Sequence, residues 1–214
     1  ALFGDLHAAP RVPVVGLADP SQVSGYRIVR ELGRGGMGIV YEAEQEHPRR
    51  RVALKVLGGL VPDARHVRLF QREIHTLARL THPALVTVYE AGQTSDGRPF
   101  FTMELVQGVP LDVYVAQHEL TAGARLELFA QICAAVAHAH AHGVIHRDLK
   151  PANILIDPEG RPRILDFGLA RVTDMDVTVS IAATDSGQIA GTPAYMSPEQ
   201  ARGQPADIDE RSDV

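Results

Sequence analysis

The apolar positions of this chain change their period part-way along. Between Tyr26 and Leu57 they come in short β-branched and aromatic runs, Tyr26 to Leu32, Ile39 to Glu44 and Arg51 to Leu57, separated by a glycine cluster and a turn around Pro48. Such runs predict strands of a small antiparallel sheet. From Ala64 to Leu80 the period lengthens: Phe70, Ile74 and Leu77 share one stripe of a helix that His82-Pro83 stops. Two further strands, Leu85 to Gly92 and Phe100 to Leu105, bring the predicted strands of this half to five.

A long helix opens the second half. Thr121 suits its N-cap, Leu126, Phe129, Cys133 and Val136 are expected to line one face, and Gly143 suits its C-terminal turn. The stretch from Leu128 to His146 lacks Asp, Glu, Lys and Arg but holds Gln131, four histidines and Gly143, which predicts a buried helix and not a membrane span. Short strands are expected around Ile154 and Ile164, whereas Arg171 to Gly191 is polar and predicts no regular element. Ala1 to Ser24, with Pro10, Pro13 and Pro20, reads as a leader or linker without the basic start and apolar run of a signal peptide.

Composition narrows the class. With 214 residues, 45% hydrophobic and 22% charged, the chain is globular, and 5% aromatics with no Trp leave aliphatic residues to fill the core. The net charge of −5 disfavours a nucleic-acid or anionic-membrane partner for this segment. Its distribution is uneven: residues 25–102 carry 12 Lys/Arg against 8 Asp/Glu, or +4, and residues 103–214 carry 8 against 16, or −8. Two units are expected, 25–102 and 103–214, after the leader at 1–24. Cys133, the single cysteine, excludes an internal disulfide and fits a cytoplasmic setting; its place on the predicted apolar face makes it a small core residue.

The chemistry begins at Gly33-Arg34-Gly35-Gly36-Met37-Gly38, a G-x-G-x-x-G pattern that several phosphate binders and plain turns share. A dinucleotide fold needs a helix directly after the glycines, whereas Ile39-Val40-Tyr41 reads as a strand, so a hairpin lid over phosphates fits better. Val52-Ala53-Leu54-Lys55 sets one lysine in an apolar strand, and Glu73 lies 18 residues later beside the buried stripe of the next helix. An ion pair between them would satisfy both; a snorkelling Lys and a solvated Glu is the plainer alternative. The segment His146-Arg147-Asp148-Leu149-Lys150-Pro151-Ala152-Asn153 combines a candidate base with a candidate metal ligand. Asp166-Phe167-Gly168 follows 18 residues after Asp148, and Gly191-Thr192-Pro193 with Ser197-Pro198-Glu199 closes the polar stretch.

In this order and spacing the chain, from Tyr26 to Val214, resembles the Hanks-type (eukaryotic-like) serine/threonine protein kinases, most closely their bacterial members. The resemblance implies an α+β, bilobal protein-kinase-like fold: a five-stranded antiparallel N-lobe with one helix over a mainly helical C-lobe, here truncated. It implies transfer of the ATP γ-phosphate to a protein Ser/Thr hydroxyl with Mg2+, Mn2+ being an alternative ion. Leu32 and the Gly33 to Gly38 loop would cover the nucleotide, Val40 and Ala53 would lie above adenine and Leu155 beneath it, and backbone groups of Glu104 and Val106 would meet its edge, with Met103 as gatekeeper. Lys55 paired with Glu73 would hold the α- and β-phosphates, and Asn153 and Asp166 would ligate the metal. Asp148 would take the hydroxyl proton beside Lys150 and Thr192. Arg147 implies control through a phosphate on the loop between Asp166 and Glu199, Thr184 or Ser186 being the expected position, and a dimer would serve trans-autophosphorylation.

Ser197 stands where the family usually has Ala, a change expected to matter little, and Pro110 falls near a position that often supplies a ribose contact. Ser212-Asp213-Val214 matches the start of a buried C-lobe helix, so the chain reads as a fragment, with apolar surface expected to be exposed and a sensor or membrane anchor left open beyond it. A pseudokinase scaffold and a small-molecule phosphotransferase of related fold are the rival classes. The intact lysine, catalytic-loop and metal positions weigh against the first, and Lys150, Thr192 and Ser197-Pro198-Glu199 weigh against the second. His138, His140 and His142 lack a completing ligand for a metal, and Arg49-Arg50-Arg51 reads as a solvated turn.

Overall fold

A computed structural model of the protein describes residues 23–35, 38–58, 64–167 and 193–214. Strands β1 (Tyr26–Gly35), β2 (Gly38–Gln45), β3 (Arg50–Leu57), β4 (Val88–Gln93) and β5 (Pro99–Glu104) form one antiparallel sheet in the order β1-β2-β3-β5-β4. Side-chain alternation splits β3 cleanly. Val52, Leu54 and Val56 join Tyr26, Ile39, Tyr41 and Phe100 in a core on one face, while Ala53 and Leu57 join the main core on the other. Val23 is already buried in the first of these cores, upstream of the boundary at residue 25 that composition suggests.

Helix α1 (Ala64–Leu77) covers the second face through Phe70, Ile74 and Leu77, with the Phe70 and Phe101 rings 6.4 Å apart. The strand expected from Leu85 starts three residues later, at Val88. The intervening residues turn away to the second half: Ile164 N–H donates to Ala84 O at 2.7 Å, and Val86 N–H donates to Ile164 O at 3.0 Å. Arg49, Arg50 and Arg51 are occupied within the sheet, Arg49 with Glu44, Arg51 with Glu42, and Arg50 stacked 3.5 Å over the Tyr89 ring.

The second half contains β6 (Val109–Pro110), α2 (Leu111–His118), α3 (Ala122–Ala141), β7 (Ile154–Ile156), β8 (Pro162–Ile164) and α4 (Pro198–Ala201). The three short strands form a sheet in the order β6-β7-β8. Thr121 caps α3, its Oγ1 accepting from Ala124 N–H at 3.2 Å, as the sequence leads one to expect. The face of α3 differs from expectation. Leu128, Ile132, Ala135, Val136 and Ala139 are buried, whereas Leu126 and Phe129 are 68% and 62% exposed and Cys133 is exposed. The reason is that α3 is apolar nearly all round, so its period does not select a side; packing against the β7–β8 sheet does. Phe129 and Cys133 instead line a concavity of about 1270 Å³ shared with Tyr195, Met196 and Val214. Helix α2 has no buried residue and left no apolar period to find. Among the described residues no helix is long and apolar enough to cross a membrane.

Candidate active site

The sheet delivers Lys55 by register. It sits in β3 opposite Val40 of β2 and Phe101 of β5, and it is buried. A buried ammonium requires a carboxylate. That carboxylate is Asp166, whose Oδ2 lies 2.6 Å from Lys55 Nζ. Lys55 thus meets Asp166 here, and Glu73, which the resemblance pairs with it, is half-buried on α1, one position before buried Ile74.

The glycine loop is the β1–β2 hairpin, with Gly33 opposite Val40 and Gly35 opposite Gly38. Gly38 is required by the fold, since its φ is +133° and a Cβ would lie 2.1 Å from Val56 O. A Cβ added at Gly33 or Gly35 meets nothing within 4 Å, so packing inside the chain does not account for these two glycines. Leu32 is partly exposed, Arg34 pairs with Glu31 at 2.8 Å, and Gly36 and Met37 lie outside the described residues.

Val40, Ala53, Met103 and Leu155 belong to or pack on the elements that frame this hairpin. Ala53 pairs with Met103 across β3 and β5, both buried; Val40 is half-buried against the same core; Leu155 lies in β7 opposite Pro110 and Arg163. Glu104 ends β5, its N–H donating to Thr87 O at 2.9 Å and its carboxylate accepting from Arg163 of β8. Val106 follows, half-buried.

The loop between α3 and β7 is built around two buried polar side chains. His146 is fully buried; Nδ1 accepts from Asp148 N–H at 3.2 Å, which makes Nε2 the protonated nitrogen, donating to Leu165 O at 2.8 Å. Burial holds its pKa below the usual histidine range despite the carboxylates of Asp213, Asp166 and Asp148 nearby, so a neutral ring fits both hydrogen bonds. Its ring meets Phe167 edge-on at 4.6 Å. Asp213 accepts from the backbone N–H groups of His146 and Arg147, both at 2.7 Å, and from His140 Nε2 at 2.8 Å.

These anchors present Asp148, Lys150 and Asn153 together. Lys150 Nζ lies 2.8 Å from Asp148 Oδ2, and Asn153 Nδ2 donates to Asp148 Oδ2 at 2.9 Å and to Asp148 O at 2.7 Å. The amide nitrogen of Asn153 is thereby committed, leaving its carbonyl oxygen as the end that can meet a cation. Asp166, with φ 57°, keeps Oδ1 buried and without a hydrogen-bond partner among the described residues. An orphaned carboxylate oxygen and an amide oxygen are hard donors of the kind Mg2+ takes. Thr192 and the hydroxyls from Thr173 to Ser186 lie outside the described residues.

Two participants, Arg163 and Gln200, were not singled out by sequence reasoning, and Asp213 entered only within Ser212-Asp213-Val214 as the start of a buried helix, its contacts to backbone 66 and 67 residues away leaving no further signal. Arg163 left none either. Gln200 stands three residues after Ser197, the spacing of a capping box, and that signal was legible.

Comparison with known proteins agrees with this architecture. A family model described as the protein kinase domain matches residues 26–214, and the chain belongs to that family. It is 43% identical over 192 residues to the DNA damage-responsive serine/threonine-protein kinase RqkA of Deinococcus radiodurans, covering 88% of this chain and 28% of that protein. It is 42% identical over 195 residues to the serine/threonine-protein kinase Pkn3 of Myxococcus xanthus, covering 88% of this chain and 35% of that one. The chain thus spans about a third or less of the length of these relatives. Among solved structures, a crystal structure of the Mycobacterium tuberculosis PknI kinase domain superposes with a TM-score of 0.68 at 32% identity, covering 92% of this chain and 73% of that one. The fold is therefore that of a protein kinase, and the family uses ATP and a divalent metal.

Proposed function

We propose that the protein to which this chain belongs transfers the γ-phosphate of ATP to serine or threonine hydroxyls of protein substrates, with residues 25–102 as the upper lobe and 103–214 as the hinge and first part of the lower one. The observation that carries this reading is the pairing of Lys55 with Asp166 and of Asp148 with Lys150 and Asn153, two clusters tied by Leu165 N–H donating to Asn153 O at 2.9 Å, in which two oxygens suit a metal. Phosphoryl transfer needs positioning and charge neutralisation more than covalent help. Asp148 accepts the proton as the substrate oxygen bonds to the γ-phosphorus; the β–γ bridging bond breaks and ADP leaves with the electron pair. Lys150 offsets charge beside Asp148. Asn153 and Asp166 are the residues that would hold Mg2+, with Mn2+ as an alternative, and the ion supplies neutralisation of the phosphates. Lys55 releases Asp166 and turns to the α- and β-phosphates when α1 brings Glu73 to it, the arrangement active kinases require. Gly33 and Gly35 let the hairpin approach phosphates closely.

Regulation rests on the loop between Asp166 and Glu199. A phosphate on Thr184 or Ser186 adds about −1.5 to −2 charges suited to the Arg147 guanidinium and leaves Thr192 free for the role the resemblance gives it with Asp148; a second copy would deliver that phosphate in trans. The reaction side is tested by Asp148→Asn, expected to lower turnover roughly 10²-fold or more while nucleotide still binds. Transfer that persists undiminished in excess EDTA would overturn it.

A further inference from the structure

Helix α4 is only four residues long, yet one of its side chains reaches across to the catalytic loop. Ser197 caps it: Gln200 N–H donates to Ser197 Oγ at 3.3 Å, and Gln200 Oε1 accepts from Ser197 N–H at 3.0 Å. The capping box occupies the oxygen of the Gln200 amide and leaves its nitrogen. Nε2 donates to the carbonyl oxygen of Arg147 at 2.5 Å.

That carbonyl belongs to the peptide unit joining Arg147 to Asp148. The N–H of the same unit donates to His146 Nδ1 at 3.2 Å, so both polar groups of the peptide that leads into Asp148 are held, one by His146 and one by Gln200. Arg147 also has a φ of 68°, a left-handed conformation that strains a non-glycine residue and persists only where the surroundings over-determine it. Asp213 holds the other end of Arg147 through its N–H at 2.7 Å. Of these holds, His146 comes from the loop itself and Asp213 from the turn at 210–213. Gln200 alone among them comes from the segment immediately after the Ser/Thr-rich loop.

We propose that Gln200 is a positioning residue for phosphoryl transfer: it fixes the peptide that carries Asp148 and makes the placement of the base depend on the end of the 168–197 segment. Ser197 gains a purpose by the same geometry. Its hydroxyl and N–H orient the Gln200 amide so that nitrogen, not oxygen, faces Arg147. The inference rests on Asp148 being the base and adds where its orientation is set from.

The test uses the full-length protein and Gln200→Glu. Glutamate keeps an oxygen for Ser197 N–H, so the capping box survives, but it has no N–H for Arg147 O. The expected result is a kcat about ten-fold lower with unchanged KM for ATP and an unchanged thermal midpoint. Ser197→Ala, which leaves the Gln200–Arg147 bond possible, should lower kcat less than Gln200→Glu. If Gln200→Glu keeps full kcat while Asp148→Asn is impaired, the base assignment stands and the proposal falls. If kcat and thermal midpoint fall together in Gln200→Glu, its role is structural and the proposal also falls.

Discussion

Lys55 and Asp148 come to one site by different physical routes. Lys55 is placed by strand register: β3 alternates, its neighbours Val40 and Phe101 are fixed by two ladders of backbone hydrogen bonds, and a slip of one residue would send it to the opposite core. Asp148 lies on a loop without strand or helix. It is held by buried polar side chains, His146 and Asp213, which satisfy backbone groups that no ladder reaches. The upper half therefore depends on apolar packing behind a regular sheet, and the lower half on a few hydrogen bonds in which each partner is irreplaceable. The two should fail differently when substituted.

The largest contrast comes from making one substitution in each half. Phe101 is fully buried beneath Lys55 and against Phe70, and Phe101→Ala should cost about 3–5 kcal/mol. Phe129 on α3 is 62% exposed, and Phe129→Ala in the same 214-residue chain should stay within about 0.5 kcal/mol. Urea unfolding of both variants measures this; equal losses would mean that the exposed face of α3 is covered in solution.

Asp213→Asn probes the polar half with almost no change of shape. The aspartate accepts from two backbone N–H groups and contacts His140, and an amide offers one oxygen and opposes one N–H with another. A buried N–H left unmet should cost about 1–3 kcal/mol. Because those two N–H groups belong to His146 and Arg147, turnover should fall further than stability explains. A variant with normal kcat would show that the loop keeps its shape without Asp213.

The same division governs what could be read before any coordinates. The strands were legible as short β-branched and aromatic runs between turn signals, even β3, which is buried on both faces, and α1 as the single stripe of Phe70, Ile74 and Leu77. On α3, apolar on both sides, the period offered no preference, and Phe129 and Cys133 were assigned to the wrong face. In the site, Asp148, Asn153 and Asp166 stood out by motif. The pairing of Lys55 did not follow from motif, since whether it meets Glu73 or Asp166 depends on how α1 seats Phe70, Ile74 and Leu77. Asp213 and Gln200 lie in short patterns that can be read, a helix start and a capping box, but their contacts to the backbone of His146 and Arg147, distant in sequence, could not be.

The smallest expected effect concerns protons, and it again separates the halves. His82, in the turn between α1 and β4, accepts from Ala84 N–H through Nδ1 at 3.2 Å, and its ring lies 5.1 Å from that of His138, which in turn lies 4.5 Å from the tilted ring of His142. Burial, and then the neighbouring His138, hold its pKa below the ordinary histidine value, as burial does for His146. A histidine depressed in the folded state is neutral there while the unfolded chain takes up a proton below about pH 6.5, so stability is complete above that value and is lost as pH falls through it. The carboxylates held low by partners, Glu44 and Asp209 among them, act in the same direction but only further down, below about pH 4.5. Between pH 7.5 and 5.5 the histidines therefore dominate. The urea midpoint should drop over that interval, and drop less in His82→Gln, whose amide can still accept from Ala84 but cannot titrate. The residual drop belongs to His146 in the catalytic loop. An equal drop in both proteins would remove His82 from the account, leaving the acid sensitivity to the polar half alone.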